Sequence, residues 1–370
     1  RPGHLVARFG GDEFAILLED TPLPTALLIV ERILAVTAAP VALGSAEVVI
    51  HTSIGLAPSR GGHTTPDQLL AEADAAMYAA KARGSHCFNV FEPAMRVASE
   101  NRSRVRSELE QALARGEFRV HYQPIVDVRS GAHLGVEALV RWAHPERGLL
   151  RPSAFIDHAE ASGQITAIGG WVLDTACKAT AELPPGSHIS VNVSARQLQQ
   201  PDLVEVVARA LQASGLPAHR LVLEITETAT VADIDGAITR LEELKSLGLQ
   251  LALDDFGTGY SPLSYLRRFP VDYLKIDRSF VRGIARDEAD RAIVRGVLDM
   301  AHALGLKAIA EGVEKVEQLE VLSQLGCDLG QGYLWMRPAR LSALPGWRLP
   351  EPRQAPSQQG GVTDLGTWAT

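Results

Sequence analysis

The 370-residue chain is 46% hydrophobic and has a formal net charge of −8 at pH 7, which is typical of a globular protein large enough to bury a sizeable core. An acidic chain lacks the basic surface that long DNA or RNA requires, so we expect neither as a partner. No apolar run approaches the ~20 residues that span a bilayer, so we expect these residues to make no membrane contact. The three cysteines, Cys87, Cys177 and Cys327, lack metal-site spacing and indicate reduced thiols in the cytoplasm.

The sequence begins at Arg1 rather than at a methionine, just ahead of a Gly-Gly turn. We therefore expect a fragment, and any membrane anchor or sensor of the full-length protein would lie upstream of it.

The first segment, residues 1–91, predicts a strand, a Gly-Gly turn, a second strand, a helix over Leu23–Ala38 and a strand pair within 46–57. A second helix begins at Pro66, because Thr65 and Gln68 have the spacing of a capping box. So few elements make a small sheet-and-helix domain, and we expect residues 1–91 to be the C-terminal part of one.

The composition changes after this segment. Residues 92–115 are rich in Arg, Glu and Ala and predict a connecting helix. From 105 to 346, eight short apolar runs alternate with helix-length amphipathic stretches, which favours parallel βα units and a (β/α)8 TIM-like barrel in the α/β class. A doubly wound open sheet is the alternative, although no Gly-rich dinucleotide fingerprint follows any strand. The polar residues 347–370 predict a disordered tail.

Polar residues recur where these predicted strands end. They are Glu137, Asn192, Glu224, Asp254, Asp255, Lys275, Glu311 and Gln331. In a parallel barrel the carboxyl ends of the strands share one face, so we expect these side chains to converge there. Five carboxylates at one mouth repel each other, and two hard cations, Mg²⁺ or Mn²⁺, would relieve that repulsion and suit phosphodiester hydrolysis. For each residue taken singly, a structural role as a strand-end cap, a surface carboxylate or an ion-pair partner is the favoured interpretation, and only the joint pattern favours a site.

The stretch Asp254–Tyr260 places two adjacent acids directly before a glycine-containing loop. Its glycines permit tight backbone geometry, so such a loop can bring both carboxylates to cations. An ordinary βα turn would explain the glycines but not the paired acids.

At these residues the sequence closely resembles the EAL family of bacterial cyclic di-GMP phosphodiesterases. The resemblance is carried, in order, by Glu137-Ala138-Leu139, NVSARQL from Asn192, LEITE from Leu223, DDFGTGY from Asp254, LKID from Leu274, AEGVE from Ala310 and QGY from Gln331. It covers residues 105–346 and implies the hydrolysis of cyclic di-GMP to linear pGpG.

The resemblance also implies roles for particular residues. It assigns the metal ions to Glu137, Asn192, Glu224, Asp254, Asp255 and Glu311. It assigns catalysis to Glu137, Lys275 and Glu311, supported by Glu227, which steadies the loop after Asp255, and by Asp277. It assigns contacts with the dinucleotide to Gln123, Leu139, Arg141 and Gln331.

The first segment resembles the C-terminal part of a GGDEF domain. The resemblance is carried by Gly10, Gly11, Asp12, Glu13 and Phe14 and by a later helix around Asp74. In an intact domain of this kind, the glycines admit a guanine nucleotide and the acids serve metal binding and catalysis. The family's earlier metal-binding strand is not in the sequence, so we expect no cyclase activity from this chain.

Two other functions remain open at this point. One is a non-catalytic cyclic di-GMP receptor. The other is a bifunctional diguanylate cyclase and phosphodiesterase in the full-length protein, with GTP bound at an intact GGDEF domain. The resemblance further implies a homodimer formed through the barrel.

Overall fold

The computed structural model describes residues 4–39, 41–43, 46–48, 52–59, 61, 64–83, 86–227, 234–257 and 266–344. The chain divides into two compact units, Arg1–Ser107 and Glu108–Thr370. The predicted tail, 347–370, lies outside the described residues.

The first unit consists of short strands and two helices, and a third helix continues into the second unit. The elements are β1 His4–Gly10, β2 Glu13–Leu18, α1 Leu23–Thr37, β3 Val41–Leu43, β4 Ala46–Val48, β5 Ser53–Leu56, α2 Pro66–Arg83, β6 Cys87–Val90 and α3 Pro93–Ala112. The capping box at the start of α2 is confirmed: Gln68 N donates to Thr65 Oγ1 at 3.3 Å, and Thr65 N donates to Gln68 Oε1 at 3.1 Å.

The predicted strand pair within 46–57 is wrong in its pairing. Strand β4 forms an antiparallel hairpin with β3, whereas β5 pairs in parallel with β6 across the intervening helix α2. Helix α2 packs so closely on β5 that a Cβ on Gly55 would lie 1.9 Å from the Ala73 carbonyl oxygen. Local alternation of apolar and polar residues could not predict that β5 pairs with β6. The two strands are separated by helix α2, and Ser53 lies opposite Cys87, 34 residues further along the chain.

The second unit contains nine strands and eight α-helices in its described residues. The strands are β7 Phe118–Asp127, β8 His133–His144, β9 Gly148–Leu150, β10 His188–Val193, β11 Leu221–Thr226, β12 Gln250–Phe256, β13 Tyr273–Ile276, β14 Lys307–Ala310 and β15 Leu329–Gly330. The helices are α4 Ile156–Ser162, α5 Ile165–Ala179, α6 Ala195–Leu198, α7 Leu203–Ser214, α8 Ile234–Ser246, α9 Arg278–Gly283, α10 Glu288–Ala303 and α11 Val316–Gln324.

Eight of these strands close into a barrel, as the sequence predicts, and the alternative of an open sheet is wrong. The order is β7, β8, β10, β11, β12, β13, β14 and β15, and β15 pairs back to β7. One strand differs from the predicted parallel arrangement, because β7 is antiparallel to both of its neighbours. The reason is the short connection 128–132, which permits a hairpin but not a parallel crossover of a dozen or more residues. Asp127 Oδ1 stabilises this turn by accepting from Ser130 N at 2.7 Å and Arg129 N at 3.1 Å.

The hairpin of β7 and β8 continues beyond the rim of the barrel. Pairing between β8 and β10 stops at Ala138, whereas pairing between β8 and β7 continues to Trp142, where the short strand β9 also joins. An aromatic cluster supports this extension: the ring centroids of Phe118, Trp142 and Phe155 lie 5.8–6.1 Å apart, and all three side chains are buried.

The barrel interior is apolar on the side away from the carboxyl ends of its parallel strands. Six of its strands contribute to one cluster: Ile125, Val222, Ala252, Tyr273, Ile309 and Leu329. This layer closes one end of the barrel, so an open site can form only at the opposite end.

Among the helices that the structure describes, none has the length and apolar character required to cross a membrane.

The aromatic cluster predicts a large cost for truncation. Phe155→Ala removes a fully buried ring and is expected to lower the free energy of unfolding of the barrel by about 3–5 kcal/mol. The measurement is urea denaturation followed by circular dichroism. Leu149→Ala, at a side chain that is 51% exposed, is the matched control and is expected to change stability by less than about 0.5 kcal/mol. Equal losses in the two variants would contradict the role assigned to the cluster.

Candidate active site

The predicted strand-end residues come together at the carboxyl ends of the parallel strands. Glu224, Asp254 and Lys275 lie in β11, β12 and β13, and Glu311 directly follows β14. The ammonium group of Lys275 joins the three acids: its Nζ lies 2.5 Å from Glu224 Oε2, 2.6 Å from Glu311 Oε1 and 3.1 Å from Asp254 Oδ2. The expected convergence is therefore present.

Lys275 is only 1% exposed. Burial alone lowers the pKa of a lysine, but the nearby carboxylates Asp254, Glu137, Glu224 and Glu311 outweigh burial and raise the pKa of Lys275 well above its usual value. The ammonium therefore stays charged at the centre of the acid cluster.

Glu137 is held by two amide side chains, and a third amide side chain extends the same network. Asn192 Nδ2 donates to Glu137 Oε1 at 2.6 Å, and Gln331 Nε2 donates to Glu137 Oε2 at 2.5 Å. Gln331 Nε2 also donates to Gln123 Oε1 at 3.1 Å, and Gln123 Nε2 donates to the Met336 carbonyl oxygen at 3.0 Å. These bonds orient the carboxylate of Glu137 toward the mouth.

A bulge places two consecutive acids at the rim. Successive residues of a regular strand point to opposite faces, but the register between β12 and β13 shifts between Leu253 and Phe256. Asp255 has a φ of +54°, a left-handed conformation that aspartate tolerates better than most residues. As a result, carboxylate oxygens of Asp254, Asp255 and Glu311 all lie within 4.8 Å of one another.

The electrostatics of this cluster fit cations. Burial raises the pKa of Glu224 well above its usual value and that of Glu311 to about 8, and the neighbouring acids add to the effect while Lys275 opposes it. Burial, Asp254 and Asp277 likewise raise the pKa of Asp255. Among the described residues, no group forms a hydrogen bond to the buried Glu224 Oε1. Burial without a partner is costly, and a bound cation would relieve that cost. The atoms that could coordinate a cation here are carboxylate oxygens and the side-chain amide oxygen of Asn192, and oxygen ligands of this kind suit hard divalent ions.

Two further predicted residues lie around the acids. Glu227 Oε2 accepts from Gly257 N at 3.2 Å, at the point where the loop after Asp255 begins; residues 258–265 of that loop lie outside the described residues. Asp277 caps α9, its Oδ1 accepting from Ser279 N at 2.9 Å.

Two of the predicted dinucleotide contacts, Leu139 and Arg141, lie on the hairpin extension, whereas Gln123 lies in the barrel part of β7 and Gln331 directly follows β15. Glu137, Leu139 and Arg141 alternate along β8 and so share one face, and Gln123 is directly opposite Glu137. Arg141 is 8% exposed, and among the described residues its guanidinium makes one hydrogen bond, to the Val140 carbonyl oxygen at 2.8 Å. Its remaining donors are available to an anion.

Two buried glutamines that the sequence analysis did not identify support the ligand-bearing loops. Gln197 forms a capping box with Ser194, which begins α6 two residues after Asn192. Gln318 Oε1 accepts from Glu314 N and Lys315 N at 2.8 and 2.9 Å, and its Nε2 donates to the Val281 carbonyl oxygen. The spacing of Gln197 from Ser194 is the signal that could have identified that cap. Gln318 leaves no clear signal for its contact with Val281, because that residue lies in helix α9, 37 residues earlier in the chain.

The glycine-turn residues of the first segment form a separate feature. Gly10, Gly11, Asp12, Glu13 and Phe14 make the turn and following strand of the β1–β2 hairpin, where Gly11 has a φ of +51°. All five are exposed, and they belong to the first unit rather than to the barrel.

Comparison with known proteins agrees with both resemblances. Residues 106–338 match the EAL domain family, and residues 1–87 match the family described as diguanylate cyclase, GGDEF domain. The EAL match covers more than half of the chain, and the chain belongs to the EAL domain family.

Two curated relatives are both named as cyclic di-GMP phosphodiesterases, and one of them is also named as a diguanylate cyclase. The chain is 41% identical over 337 residues to the bifunctional diguanylate cyclase/cyclic di-GMP phosphodiesterase MucR of Pseudomonas aeruginosa, covering 90% of this chain and 49% of that protein. It is 40% identical over 348 residues to the cyclic di-GMP phosphodiesterase NbdA of the same organism, covering 93% of this chain and 44% of NbdA. The chain thus spans about half the length of these curated relatives.

A solved structure of the MucR phosphodiesterase in complex with cyclic di-GMP is similar in fold. It superposes with a TM-score of 0.63 at 42% identity, covering 65% of this chain and 98% of the other. The FimX EAL domain from Pseudomonas aeruginosa bound to cyclic di-GMP gives a TM-score of 0.60 at 30% identity, covering 64% of this chain and 96% of the other. EAL phosphodiesterases are metal-dependent in general.

The position of Lys275 predicts its effect on stability. Lys275→Met removes the ammonium that contacts three carboxylates. It is expected to lower the free energy of unfolding by about 3–5 kcal/mol in the absence of metal. The measurement is urea denaturation in a chelator. The control is Lys178→Met, because Lys178 pairs with Asp174 on an exposed helix face with its side chain 61% exposed, and a loss of less than about 1 kcal/mol is expected there. A Lys275→Met protein as stable as the control variant would contradict the electrostatic account.

Proposed function

We propose that this chain hydrolyses cyclic di-GMP to linear pGpG at the mouth of the barrel, with two Mg²⁺ or Mn²⁺ ions. The observation that carries the proposal is the acid cluster at the strand ends. Glu137, Glu224, Asp254, Asp255 and Glu311, together with the ammonium of Lys275, have a net charge of −4 when all are ionised. Two divalent cations would neutralise that charge, and a phosphodiester is the substrate class that a paired-cation site serves.

The residues that would hold the cations are Glu137, Asn192, Glu224, Asp254, Asp255 and Glu311. When bound, the ions would supply Lewis-acid activation of water and of the phosphodiester. The chain prepares this site by fixing its ligands beforehand: Lys275 holds three of the acids, and Gln331 and Asn192 orient Glu137. Such preorganisation avoids rearrangement during the reaction.

Lys275 has a second proposed role. A buried ammonium beside the reacting phosphate would stabilise the negative charge that develops on the phosphoryl oxygens. Glu227 would hold the loop that begins at Gly257 in position, as its bond to Gly257 N indicates, and Asp277 would contribute a further carboxylate near Asp255.

The rest of the substrate would lie along the hairpin extension. Cyclic di-GMP carries two phosphates, and a site with acids at one end and arginine at the other suits such a ligand. One phosphate would lie at the acid cluster, while Arg141, with Gln123, Leu139 and Gln331, would hold the remainder of the dinucleotide. Arginine is well suited to phosphate because its donors form a planar fork.

We also propose the domain limits expected from the sequence, with the C-terminal part of a GGDEF domain over 1–91, a connecting helix over 92–115, and the phosphodiesterase domain over 105–346.

For the whole protein, we propose cytoplasmic catalysis, GTP binding at the GGDEF part and homodimerisation through the barrel. Sedimentation of the chain with and without cyclic di-GMP tests the dimer, and a monomer under all conditions would contradict it.

The first prediction of this proposal concerns activity. Purified protein with Mg²⁺ or Mn²⁺ is expected to convert cyclic di-GMP to pGpG, resolved by liquid chromatography. Glu137→Ala is expected to lower kcat at least about a hundredfold, because it removes one of the carboxylates that would hold the cations, and the loss of one such electrostatic group costs several kcal/mol. The control is Glu242→Ala, at an exposed glutamate on α8, which should retain activity. Binding of cyclic di-GMP without turnover under any metal would instead favour the receptor function.

A second prediction concerns the cations directly. Saturating Mn²⁺, at a hundred times its dissociation constant, is expected to add about 2.7 kcal/mol to the free energy of unfolding, which a thermal melt detects without any substrate. Asp255→Asn should reduce this shift, whereas Asp299→Asn, at an exposed aspartate on α10, should leave it unchanged. A melting temperature that is insensitive to Mn²⁺ in the wild-type protein would rule out the proposed cation site.

A further inference from the structure

The hairpin extension presents a continuous face that runs outward from the acid cluster. Directly opposed residues of an antiparallel pair lie on the same face, as do alternate residues of one strand. The register of β7 and β8 therefore places six side chains on one face, here called the hairpin wall: Gln123, His121 and Arg119 on β7, opposite Glu137, Leu139 and Arg141 on β8. Gln123 and Glu137 form its inner end, and the other four residues form its outer part.

The outer part of the hairpin wall is rich in donors. Arg119 and Arg141 offer only N–H groups, and Leu139 offers no polar group. Arg151 and Arg340 add positive charge near Arg141 and His121 respectively. Of the four outer side chains, His121 is the one that can accept a hydrogen bond.

The orientation of the His121 ring is fixed by a backbone contact. Its Nδ1 lies 3.2 Å from the carbonyl oxygen of Pro338. A carbonyl oxygen only accepts, so Nδ1 carries the hydrogen and Nε2 of the neutral ring is an acceptor. Burial and the charges of Arg141 and Arg340 lower the pKa of His121, despite the bond to Pro338, which favours this neutral form. No described residue hydrogen-bonds to Nε2.

A lone acceptor among donors discriminates between purines. The Watson–Crick edge of guanine presents two adjacent donors, N1–H and the 2-amino group, whereas adenine presents an acceptor at N1 and no 2-amino group. Enzymes that bind an unpaired base commonly read this edge by hydrogen bonds. Adenine has one donor group on this edge, the 6-amino group, and it lies where guanine has the O6 acceptor. An acceptor placed against N1–H and the 2-amino group of guanine would therefore be left unpaired against adenine bound in the same position.

We propose that Nε2 of His121 accepts a hydrogen bond from the Watson–Crick edge of one guanine of the dinucleotide, and that this bond selects guanine over adenine. The inference rests on the proposed function, because it assumes that a cyclic dinucleotide lies along the hairpin wall. His121 is a specificity residue in this account and takes no part in bond cleavage.

The test compares kcat/KM for cyclic di-GMP and cyclic di-AMP in the wild-type protein and three variants. His121→Phe removes the acceptor and keeps a planar ring; it is expected to lower kcat/KM for cyclic di-GMP about tenfold, mainly through KM, with little change for cyclic di-AMP. His121→Gln retains an acceptor and should recover part of the preference. The matched control is His133→Phe, at the opposite end of β8, which should keep the wild-type ratio.

The outcomes separate the two proposals. A wild-type protein that hydrolyses neither dinucleotide contradicts the proposed function itself. A wild-type protein that hydrolyses cyclic di-GMP, with a His121→Phe variant that keeps the full preference for guanine or loses both substrates equally, overturns the role of His121 alone.

A measurement on the wild-type protein covers the case in which His121→Phe does not fold. The ring nitrogens of His121 are observed by ¹⁵N NMR in a chelator, where no turnover is expected, with and without cyclic di-GMP. The Nε2 resonance is expected to shift upfield when it accepts a hydrogen bond, and not to shift with cyclic di-AMP. An unmoved Nε2 resonance in the presence of saturating cyclic di-GMP overturns the proposal.

Discussion

Repulsion among carboxylates at the rim of the barrel is the constraint on which the rest of the second unit depends. The barrel gathers acids from strands far apart in the chain, and burial makes Glu224 and Glu311 harder to ionise, as their raised pKa values show. Lys275 offsets part of this cost by contacting three acids at once. A single ammonium cannot balance five carboxylates, so the cluster has the charge and the unsatisfied oxygen of a site prepared for cations.

Apart from Lys275, the groups that hold this acid cluster in place are amide side chains and not further charged residues. Glutamine and asparagine can donate and accept at the same time, so they link acids to backbone groups without adding repulsion. Gln331 connects Glu137 to Gln123, and Gln318 fixes the loop that follows Glu311. Three of the acids are thus held by Lys275, and Glu137 is held by neutral amides whose own partners are strands and loops of the barrel. Ligands fixed beforehand in this way are what preorganised catalysis requires.

Two departures from a regular parallel barrel give the site its shape. The antiparallel strand β7 forms a hairpin that continues past the rim, so one side of the mouth has a tall polar face that the other strands lack. The bulge at Asp255 turns a second acid toward the mouth where a regular strand would have directed it away. Bulges of this kind are common beside active sites because they re-aim a side chain at little cost to the sheet. The first departure provides a surface for the bulk of a ligand, and the second completes the acid cluster.

The sequence by itself determined the barrel class and the positions of the acids. This is because a buried strand is recognisable as a short apolar run, and the polar residue that ends the run lies at a known edge of the sheet. The sequence could not determine what those residues bond to. Lys275 and Glu224 are 51 residues apart, and Gln331 and Glu137 are 194 apart, so their pairing depends on how the barrel closes. The parallel pairing of β5 with β6, the bulge at Asp255 and the ring orientation of His121 were likewise decided only by tertiary structure. Each depends on a neighbour distant in the chain, and local periodicity contains no information about such neighbours.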